Sequence, residues 1–235
     1  MLKKLGVIGG MGPEATSFYY ARVIARTKAA SDQEHIDMVI LSHATMPDRT
    51  KAILTGNKEA FIEAVTTDAK NLEYLGVSNI AIPCNTSHYF LEEIQAATKV
   101  PIINMVEESV RSVIEEHPQV KKIGIMGTDG TLRAETYHRA CRARGIEPAA
   151  PGVEAQKDVM SLIYDDIKSG KTGDRDKFDR VYQDLMAQGC DAVILACTEI
   201  SVFKEYYQVP ANCIDAMDVL VKESILRSGA QLREA

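Results

Sequence analysis

A weak internal duplication constrains the fold of this 235-residue chain more than any other feature of its sequence. Three segments of the first half recur, in the same order, in the second half. The pairs are residues 4–12 (KLGVIGGMG) with 122–130 (KIGIMGTDG), residues 76–86 (GVSNIAIPCNT) with 189–199 (GCDAVILACTE), and residues 100–105 (VPIINM) with 209–216 (VPANCIDA). A pattern repeated in order predicts two similar structural units.

Short apolar runs alternate with amphipathic stretches along the whole chain. The runs are rich in β-branched residues and almost continuously apolar, as in strands of a parallel sheet that is buried on both faces. They lie at residues 5–8, 38–41, 80–83, 102–103, 123–126, 192–196 and 213–214. Helical spacing of apolar residues predicts helices at 14–29, 59–75, 107–117, 133–144, 157–168, 176–188 and 216–228. This alternation predicts an α/β fold.

The predicted architecture is two similar lobes, each with a central parallel sheet flanked by helices, related by a pseudo-two-fold axis. We expect residues 1–105 and 216–235 to form the first lobe and residues 106–215 the second. The helix after the last strand of each lobe is expected to cross onto the other lobe. No linker rich in Pro, Gly or Ser separates the halves, so we expect the active site in a cleft between them.

Charge, hydropathy and cysteine usage exclude several classes of protein. The net charge is −6, with both signs dispersed and no basic block, which excludes nucleic acid as a partner. No apolar run approaches the length of a membrane span, and the one near the N-terminus is too short for a secretion signal, so we expect a cytoplasmic protein. The five cysteines are widely spaced without a Cys-x-x-Cys, which indicates neither a disulfide framework nor a metal site.

Cys84 and Cys197 stand out because they occupy matching positions of the duplication. Each follows a strongly apolar run and precedes a short polar turn, so both lie at the carboxyl end of a predicted strand, where open α/β sheets bind their ligands. A helix is expected after each, and the positive end of a helix dipole favours a thiolate. The alternative, a buried structural cysteine, applies best to Cys141, Cys190 and Cys213, which have no such context.

Two thiols that face one cleft suit removal and return of the proton at the α-carbon of an amino acid. Without pyridoxal phosphate, racemisation needs a base on one face of this carbon and an acid on the other, with the roles exchanged in the reverse direction. Thiolates suit the task because their pKa is tunable towards neutrality, while the site must exclude water and stabilise a carbanion-like state. The sequence therefore predicts a two-base racemase that uses Cys84 and Cys197.

Residues 8–16 (IGGMGPEAT) form a glycine-rich turn between a predicted strand and a predicted helix. Such a turn presents backbone N–H groups to an anion. A loose match to a dinucleotide-binding fingerprint is the competing interpretation. However, Pro13 lacks an N–H group and the next strand does not end in the acidic residue that binds ribose. We expect a small carboxylate near Met11 and Gly12.

Four further polar residues occupy positions that permit a role in binding. Arg49 follows the second strand, where a guanidinium binds a carboxylate at two points; the alternative is a solvated loop charge. Lys168 ends a predicted helix, which by itself is typical of a surface lysine. Glu199 would orient a substrate ammonium or the second cysteine loop, or would simply be a first-turn acid. His88 would either lower the pKa of the first cysteine or form a structural hydrogen bond.

Together these motifs resemble the aspartate/glutamate racemase superfamily, and specifically its aspartate racemase branch. The resemblance covers nearly the whole chain and rests on residues 9–16 (GGMGPEAT), 47–50 (PDRT), 83–88 (PCNTSH) and 196–199 (ACTE). It implies a racemase of aspartate, or of glutamate, that needs no cofactor and forms a homodimer. By position it implies Cys84 and Cys197 as the acid/base thiols, Arg49 for the substrate carboxylate, Lys168 for the substrate side chain, and Asn85, Thr86 and Thr198 for the amino-acid carboxylate and ammonium. Lys157, upstream in the same predicted helix, is the competing match for the lysine.

Other enzymes and one other class of protein are compatible with parts of this pattern. The chain lacks the Asp-Ser pair and the Cys-Thr-His that glutamate racemases carry. Hydantoin racemases, maleate isomerases and arylmalonate decarboxylases share the fold, but Arg49 and the Met11 loop favour an amino-acid substrate. A catalytically silent carboxylate-binding protein is the alternative from a different class, and it would need neither thiol.

Overall fold

The computed structural model describes residues 2–233, and it confirms an α/β fold with two parallel sheets flanked by helices. The strands are β1 (Leu5–Gly9), β2 (Met38–Ser42), β3 (Asn79–Ala81), β4 (Lys122–Met126), β5 (Glu147–Ala149), β6 (Ala192–Leu195) and β7 (Cys213–Asp215). The α-helices are α1 (Pro13–Arg26), α2 (Arg49–Thr55), α3 (Glu59–Tyr74), α4 (Leu91–Ala96), α5 (Met105–Glu116), α6 (Asp129–Ala134), α7 (Thr136–Arg142), α8 (Val153–Ser161), α9 (Arg175–Ala187), α10 (Thr198–Tyr206) and α11 (Ala216–Arg227).

The described chain divides into two compact units. Unit 1 comprises residues 2–105 and 217–233, and unit 2 comprises Val106–Ala216. The helix that follows the last strand of unit 2, α11, thus lies almost wholly in unit 1. Within unit 1 it contacts α1, where Tyr19 and Ser224 share a buried hydrogen bond of 2.6 Å between their hydroxyl groups.

Unit 1 is built on a parallel sheet with the strand order β2-β1-β3. The central strand β1 is buried along all five residues, and Leu5 is in register with Met38 on one side and with Asn79 on the other. Helix α3 covers this sheet through fully buried Phe61 and Leu72, as its apolar spacing predicted. The carboxyl ends of all three strands consequently point to the same edge of the sheet.

Unit 2 is built on a parallel sheet with the strand order β5-β4-β6-β7. Strands β4 and β6 form its centre, with Ile123 in register with Ala192. Helix α5 belongs to this unit, where Glu107 pairs with Arg144 at 2.5 Å. The loops that follow β4 and β6 leave the sheet side by side at its carboxyl edge.

Three predicted elements differ from the observed ones for local reasons. The predicted strand 102–103 is reduced to a single bridge between Ile102 and Ile80. The predicted helix 133–144 is interrupted at Glu135, whose φ of 52° is left-handed. The predicted helix 157–168 begins earlier, at Val153, and changes after Ser161 into π-helical and 3-10 turns that end at Ser169.

Within residues 2–233, no helix is both long enough and apolar enough to cross a lipid bilayer.

Candidate active site

Three loops meet at the carboxyl edge of the unit 1 sheet, and Arg49 connects two of them. Asp48 caps helix α2 by accepting a 2.6 Å hydrogen bond from the backbone N–H of Lys51, which fixes Arg49 as the first helical residue. The Arg49 guanidinium donates to the carbonyls of Met11 and Pro47, each at 3.2 Å. The structure therefore brings Arg49 and the glycine-rich turn together within one unit.

The glycine-rich turn is tightly packed, which explains its glycines. Gly10 has a φ of +88°, and a Cβ there would lie 2.4 Å from the backbone nitrogen of His43. The Thr16 hydroxyl accepts from Gly10 N–H and donates to the Gly12 carbonyl, both at 2.9 Å. The Gly10 N–H is thus bonded inside the turn, so the expected anion-binding nest has one donor fewer than the glycine pattern predicts.

The Cys84 loop follows β3 and is held through its backbone. Cys84 is 5% exposed and its N–H donates to the Ile82 carbonyl at 2.7 Å. Nδ1 of His88 lies 2.9 Å from the Cys84 carbonyl oxygen, and Nε2 accepts from Met105 N–H at 3.3 Å. These contacts define a neutral imidazole that donates through Nδ1. Of the two roles expected for His88, the structure therefore supports the structural hydrogen bond.

Burial lowers the pKa of His88, and the carbonyls of Cys84 and Ile103, which would accept hydrogen bonds from a protonated ring, oppose this only in part. The segment after Cys84 is a 3-10 turn, Thr86–Phe90, rather than the expected α-helix, so no long helix dipole acts on this thiol.

Ser87 is a further residue of this candidate site, and the sequence did not reveal it. It is fully buried in the Cys84 loop, and its hydroxyl donates to the Met11 sulfur at 3.4 Å. Asn85 and Thr86, which the resemblance selected, are also buried in this loop. Because Ser87 and Met11 are 76 positions apart, no local pattern could predict their contact.

In unit 2, Cys197 lies at the carboxyl end of β6 and is the N-cap residue of the nine-residue helix α10. Its thiol donates to Oε2 of Glu199 at 2.9 Å, and Oε1 of Glu199 is 2.5 Å from Nζ of Lys168. The Thr198 hydroxyl lies 3.4 Å from the same Glu199 oxygen. The structure thus joins four residues selected from the sequence in one hydrogen-bonded cluster.

The electrostatics of this cluster favour a protonated Cys197. Burial raises the pKa of the thiol well above its ordinary value, and the Glu199 carboxylate raises it further. The ammonium of Lys168 acts in the opposite direction, without offsetting the other two causes. Cys197 is consequently a thiol, not a thiolate, in this arrangement.

The two candidate lysines have different surroundings. Lys157 lies on the surface of α8 and pairs with exposed Glu154 at 2.7 Å. Lys168 instead pairs with Glu199, whose side chain is only 7% exposed, and its ammonium lies 5.7 Å from the centre of the Tyr164 ring. The geometry favours Lys168 as the lysine of the site, and Tyr164 is a neighbour that the sequence did not reveal.

The other three cysteines lie in structural surroundings. Cys141 is within α7, Cys213 is within β7, and Cys190 precedes β6. Burial raises the pKa of Cys141 and that of Cys213 to about 12. Within residues 2–233, no group of three or more His, Cys, Asp or Glu side chains is arranged to hold a metal ion.

A strand-end thiol in each of two parallel-sheet units, with a cationic side chain near each thiol loop, is the arrangement that the sequence resemblance led us to expect. A model of the Asp/Glu/hydantoin racemase family matches residues 8–224. The chain therefore belongs to this family.

Individual relatives agree with this assignment. The chain is 28% identical to the broad specificity amino-acid racemase RacX of Bacillus subtilis over 225 residues, which cover 94% of this chain and 96% of the relative. It is similar to the structure of an aspartate racemase from Picrophilus torridus, with a TM-score of 0.80, 28% identity and coverage of 98% and 96% of the two chains. A glutamate racemase from Francisella tularensis, at 20% identity and a TM-score of 0.65 over 94% and 78% of the chains, shares the fold.

Proposed function

We propose that this protein is a cofactor-independent amino-acid racemase in which Cys84 and Cys197 act on opposite faces of one α-carbon, with aspartate as a substrate. The observation that carries the proposal is the equivalence of the two thiols. Each is buried just beyond the carboxyl end of a strand of its own parallel sheet, β3 for Cys84 and β6 for Cys197, although the two are 113 positions apart (197 − 84).

The chemistry is a transfer of two protons. One sulfur, as thiolate, takes the α-proton while the C–H bond breaks, and the other sulfur, as thiol, donates its proton to the opposite face of the carbon. Afterwards the first sulfur is a thiol and the second a thiolate, so the enzyme is set for the reverse direction. Burial of both sulfurs supports this scheme because water would compete for the carbanion-like state.

The Glu199 contact supports a first role for Cys197 as the acid. Since the thiol of Cys197 is kept protonated by burial and by the adjacent carboxylate, it enters the first half-reaction as the proton donor. Cys84 then acts as the base. The enantiomer whose α-proton faces Cys84 is therefore the one that the resting enzyme converts.

Two cationic side chains support an amino acid with an acidic side chain. Arg49 offers a guanidinium for the α-carboxylate, beside the backbone carbonyls of Met11 and Pro47 to which it donates. Lys168 would bind the side-chain carboxylate, in competition with Glu199. Asn85, Thr86 and Thr198 would complete the contacts to the substrate carboxylate and ammonium, and Met11 and Gly12 would border the carboxylate.

Exchange of the α-proton in D₂O tests the proposal directly. We expect L- and D-aspartate, incubated with the pure protein and no added cofactor, to lose the Cα–H signal in NMR and to reach equal amounts of both enantiomers. Glutamate in the same experiment measures how far the site tolerates one more methylene. Absence of exchange with aspartate and glutamate would refute an acidic substrate.

We further propose that the protein forms a homodimer in the cytoplasm. Unit 1 exposes large apolar side chains, among them Leu54 (55%) and Tyr74 (91%), which supports association. All five cysteines are free, which suits a reducing compartment. Light scattering should give twice the chain mass of 25.8 kDa, and cell fractionation should place the protein with cytoplasmic markers.

A further inference from the structure

A groove on unit 2 lies beside the Lys168 cluster and is unused by the proton-transfer scheme. It has a volume of about 640 Å³, which is within the range of small-molecule sites. Pro151, Val153, Met160 and Tyr164 form its apolar wall. Of these, Val153 is 78% exposed, so the groove opens to solvent.

Two independent contacts connect the groove to Cys197. On one side, the Tyr164 ring in the groove wall lies 5.7 Å from the ammonium of Lys168, which is bonded through Glu199 to the thiol. On the other side, groove residue Gln156 donates to the carbonyl of Gly127 at 3.0 Å, at the end of β4.

The backbone at this end of β4 is close to the Cys197 loop. A Cβ at Gly127 would lie 3.1 Å from the carbonyl oxygen of Ala196, the residue before Cys197. The end of β4, which Gln156 of the groove contacts, thus lies against the residue that precedes Cys197.

The polar groups of the groove are mainly hydrogen-bond acceptors. Asp129 and Asp165 contribute carboxylates, and Ser161 donates to Asp165 at 2.8 Å. Gln156 gives its amide N–H to Asp129 at 2.8 Å, which leaves its Oε1 buried without a hydrogen-bond partner among the described residues. The cation on the wall, Lys157, is matched by Glu154. The groove therefore presents net negative charge at the end of an apolar surface.

We propose that this groove is a side-chain subsite of the racemase and that it accepts a long side chain with an apolar stem and a cationic end, as in lysine and arginine. The stem would lie along Tyr164 and Met160, while the ammonium or guanidinium would meet Asp165 and Asp129. The pairing of Lys168 with Glu199 favours this, because it neutralises the ammonium that lies 5.7 Å from the Tyr164 ring of the groove wall. This inference rests on the proposed racemase function.

The test compares substrates that differ in charge but share a stem. Cα deuterium exchange and racemisation rates are measured for lysine, arginine, norleucine and aspartate. We expect kcat/KM for lysine to exceed that for norleucine about tenfold, as a favourable charge contact of about 1.4 kcal/mol would give. Asp165→Asn should lower kcat/KM for lysine about fivefold and leave norleucine and aspartate within twofold.

Asp158→Asn is the matched control, since Asp158 is an acid on neighbouring α8 that pairs with Arg180 instead of lining the groove. It should leave the lysine rate unchanged. Exchange of aspartate without exchange of lysine would overturn the subsite while the proposed function stands. Equal rates for lysine and norleucine, or a lysine rate insensitive to Asp165→Asn, would also overturn it. If none of the four amino acids exchanges, the proposed function itself fails.

Discussion

The two cysteine loops occupy equivalent places in their units, but they hold their thiols in different ways. The Cys84 loop enters a 3-10 turn and is fixed through its backbone, by the hydrogen bond from His88 to the Cys84 carbonyl. Cys197 caps an α-helix, and its sulfur itself is bonded, to Glu199. One loop constrains the position of its thiol, and the other also constrains its protonation.

This difference shows what an internal duplication conserves. Strand ends are set by the sheet, so both halves keep a cysteine at the same place. The surrounding hydrogen bonds depend on residues outside the repeated segments, such as Lys168, and they are free to diverge. Two-base racemisation benefits from such divergence, because one thiol must start as an acid while the other starts as a base.

Removing each thiol in turn is the most direct test of whether the two loops have complementary roles. We expect Cys84→Ala and Cys197→Ala each to lower racemisation of aspartate by about a thousandfold or more, since both proton transfers are needed. Each variant should still exchange deuterium slowly into one enantiomer, the one whose α-proton faces the remaining thiol, and the favoured enantiomer should be opposite in the two variants.

Cys190→Ala is the control, because this residue is also buried in unit 2 but precedes β6, whereas Cys197 follows it. It should keep nearly full activity. Racemisation at more than about a tenth of the original rate in either thiol variant would contradict the two-base scheme.

A smaller effect is expected from changing only the protonation of Cys197. Glu199→Gln keeps the shape of the side chain but removes its charge, so the pKa of Cys197 should fall. We expect iodoacetamide to alkylate Cys197 about tenfold faster near neutral pH than in the unmodified protein, as followed by peptide mass spectrometry. Loss of racemase activity at alkaline pH, where the acid form of Cys197 disappears, should begin at a lower pH.

Glu154→Gln provides the same substitution on the surface of unit 2. It should change neither the alkylation rate of Cys197 nor the pH dependence of racemase activity. An alkylation rate that is unchanged or slower in Glu199→Gln would show that Glu199 does not hold the proton on Cys197. The two thiol loops would then differ in shape but not in protonation.

Much of the fold follows from local patterns in the sequence. Buried parallel strands such as β1 and β6 are nearly pure apolar runs, and α3 shows its buried face through regular spacing. The sequence did not predict strand β5, because Glu147 and Pro148 interrupt the apolar run that is typical of a buried strand. In the structure, β5 is a short edge strand that pairs with β4. Its existence depends on a neighbouring strand, which local patterns do not describe.

The sequence predicted those residues of the candidate site whose role follows from residue type and position. It did not predict those whose role depends on a contact in the folded chain. The strand-end thiols and Arg49 could be selected from position and type. Ser87 and Tyr164 could not, because their roles come from contacts to Met11 and Lys168 that only the folded chain creates. The sequence likewise left two roles open for His88, which were to lower the pKa of the Cys84 thiol or to form a structural hydrogen bond.

The smallest expected effect concerns the backbone support of Cys84. Because burial lowers the pKa of His88 in the folded protein, the unfolded chain, with a histidine pKa of about 6.5, binds the proton more readily. The stability that the neutral imidazole contributes is therefore present above about pH 6.5 and is lost as the pH falls from there towards the folded-state pKa. The free energy of unfolding should decline by at most about 1.4 kcal/mol per pH unit from this group.

In His88→Gln, chemical denaturation should show a shallower decline of the free energy of unfolding between pH 7 and 5. At pH 7.5 this free energy should be lower than in the unmodified protein by about 1–3 kcal/mol, because the glutamine forms imperfect hydrogen bonds. His35→Gln, in a surface turn, is the control. An identical slope in His88→Gln and the unmodified protein would mean that His88 supports the Cys84 loop without making the stability of the protein depend on pH.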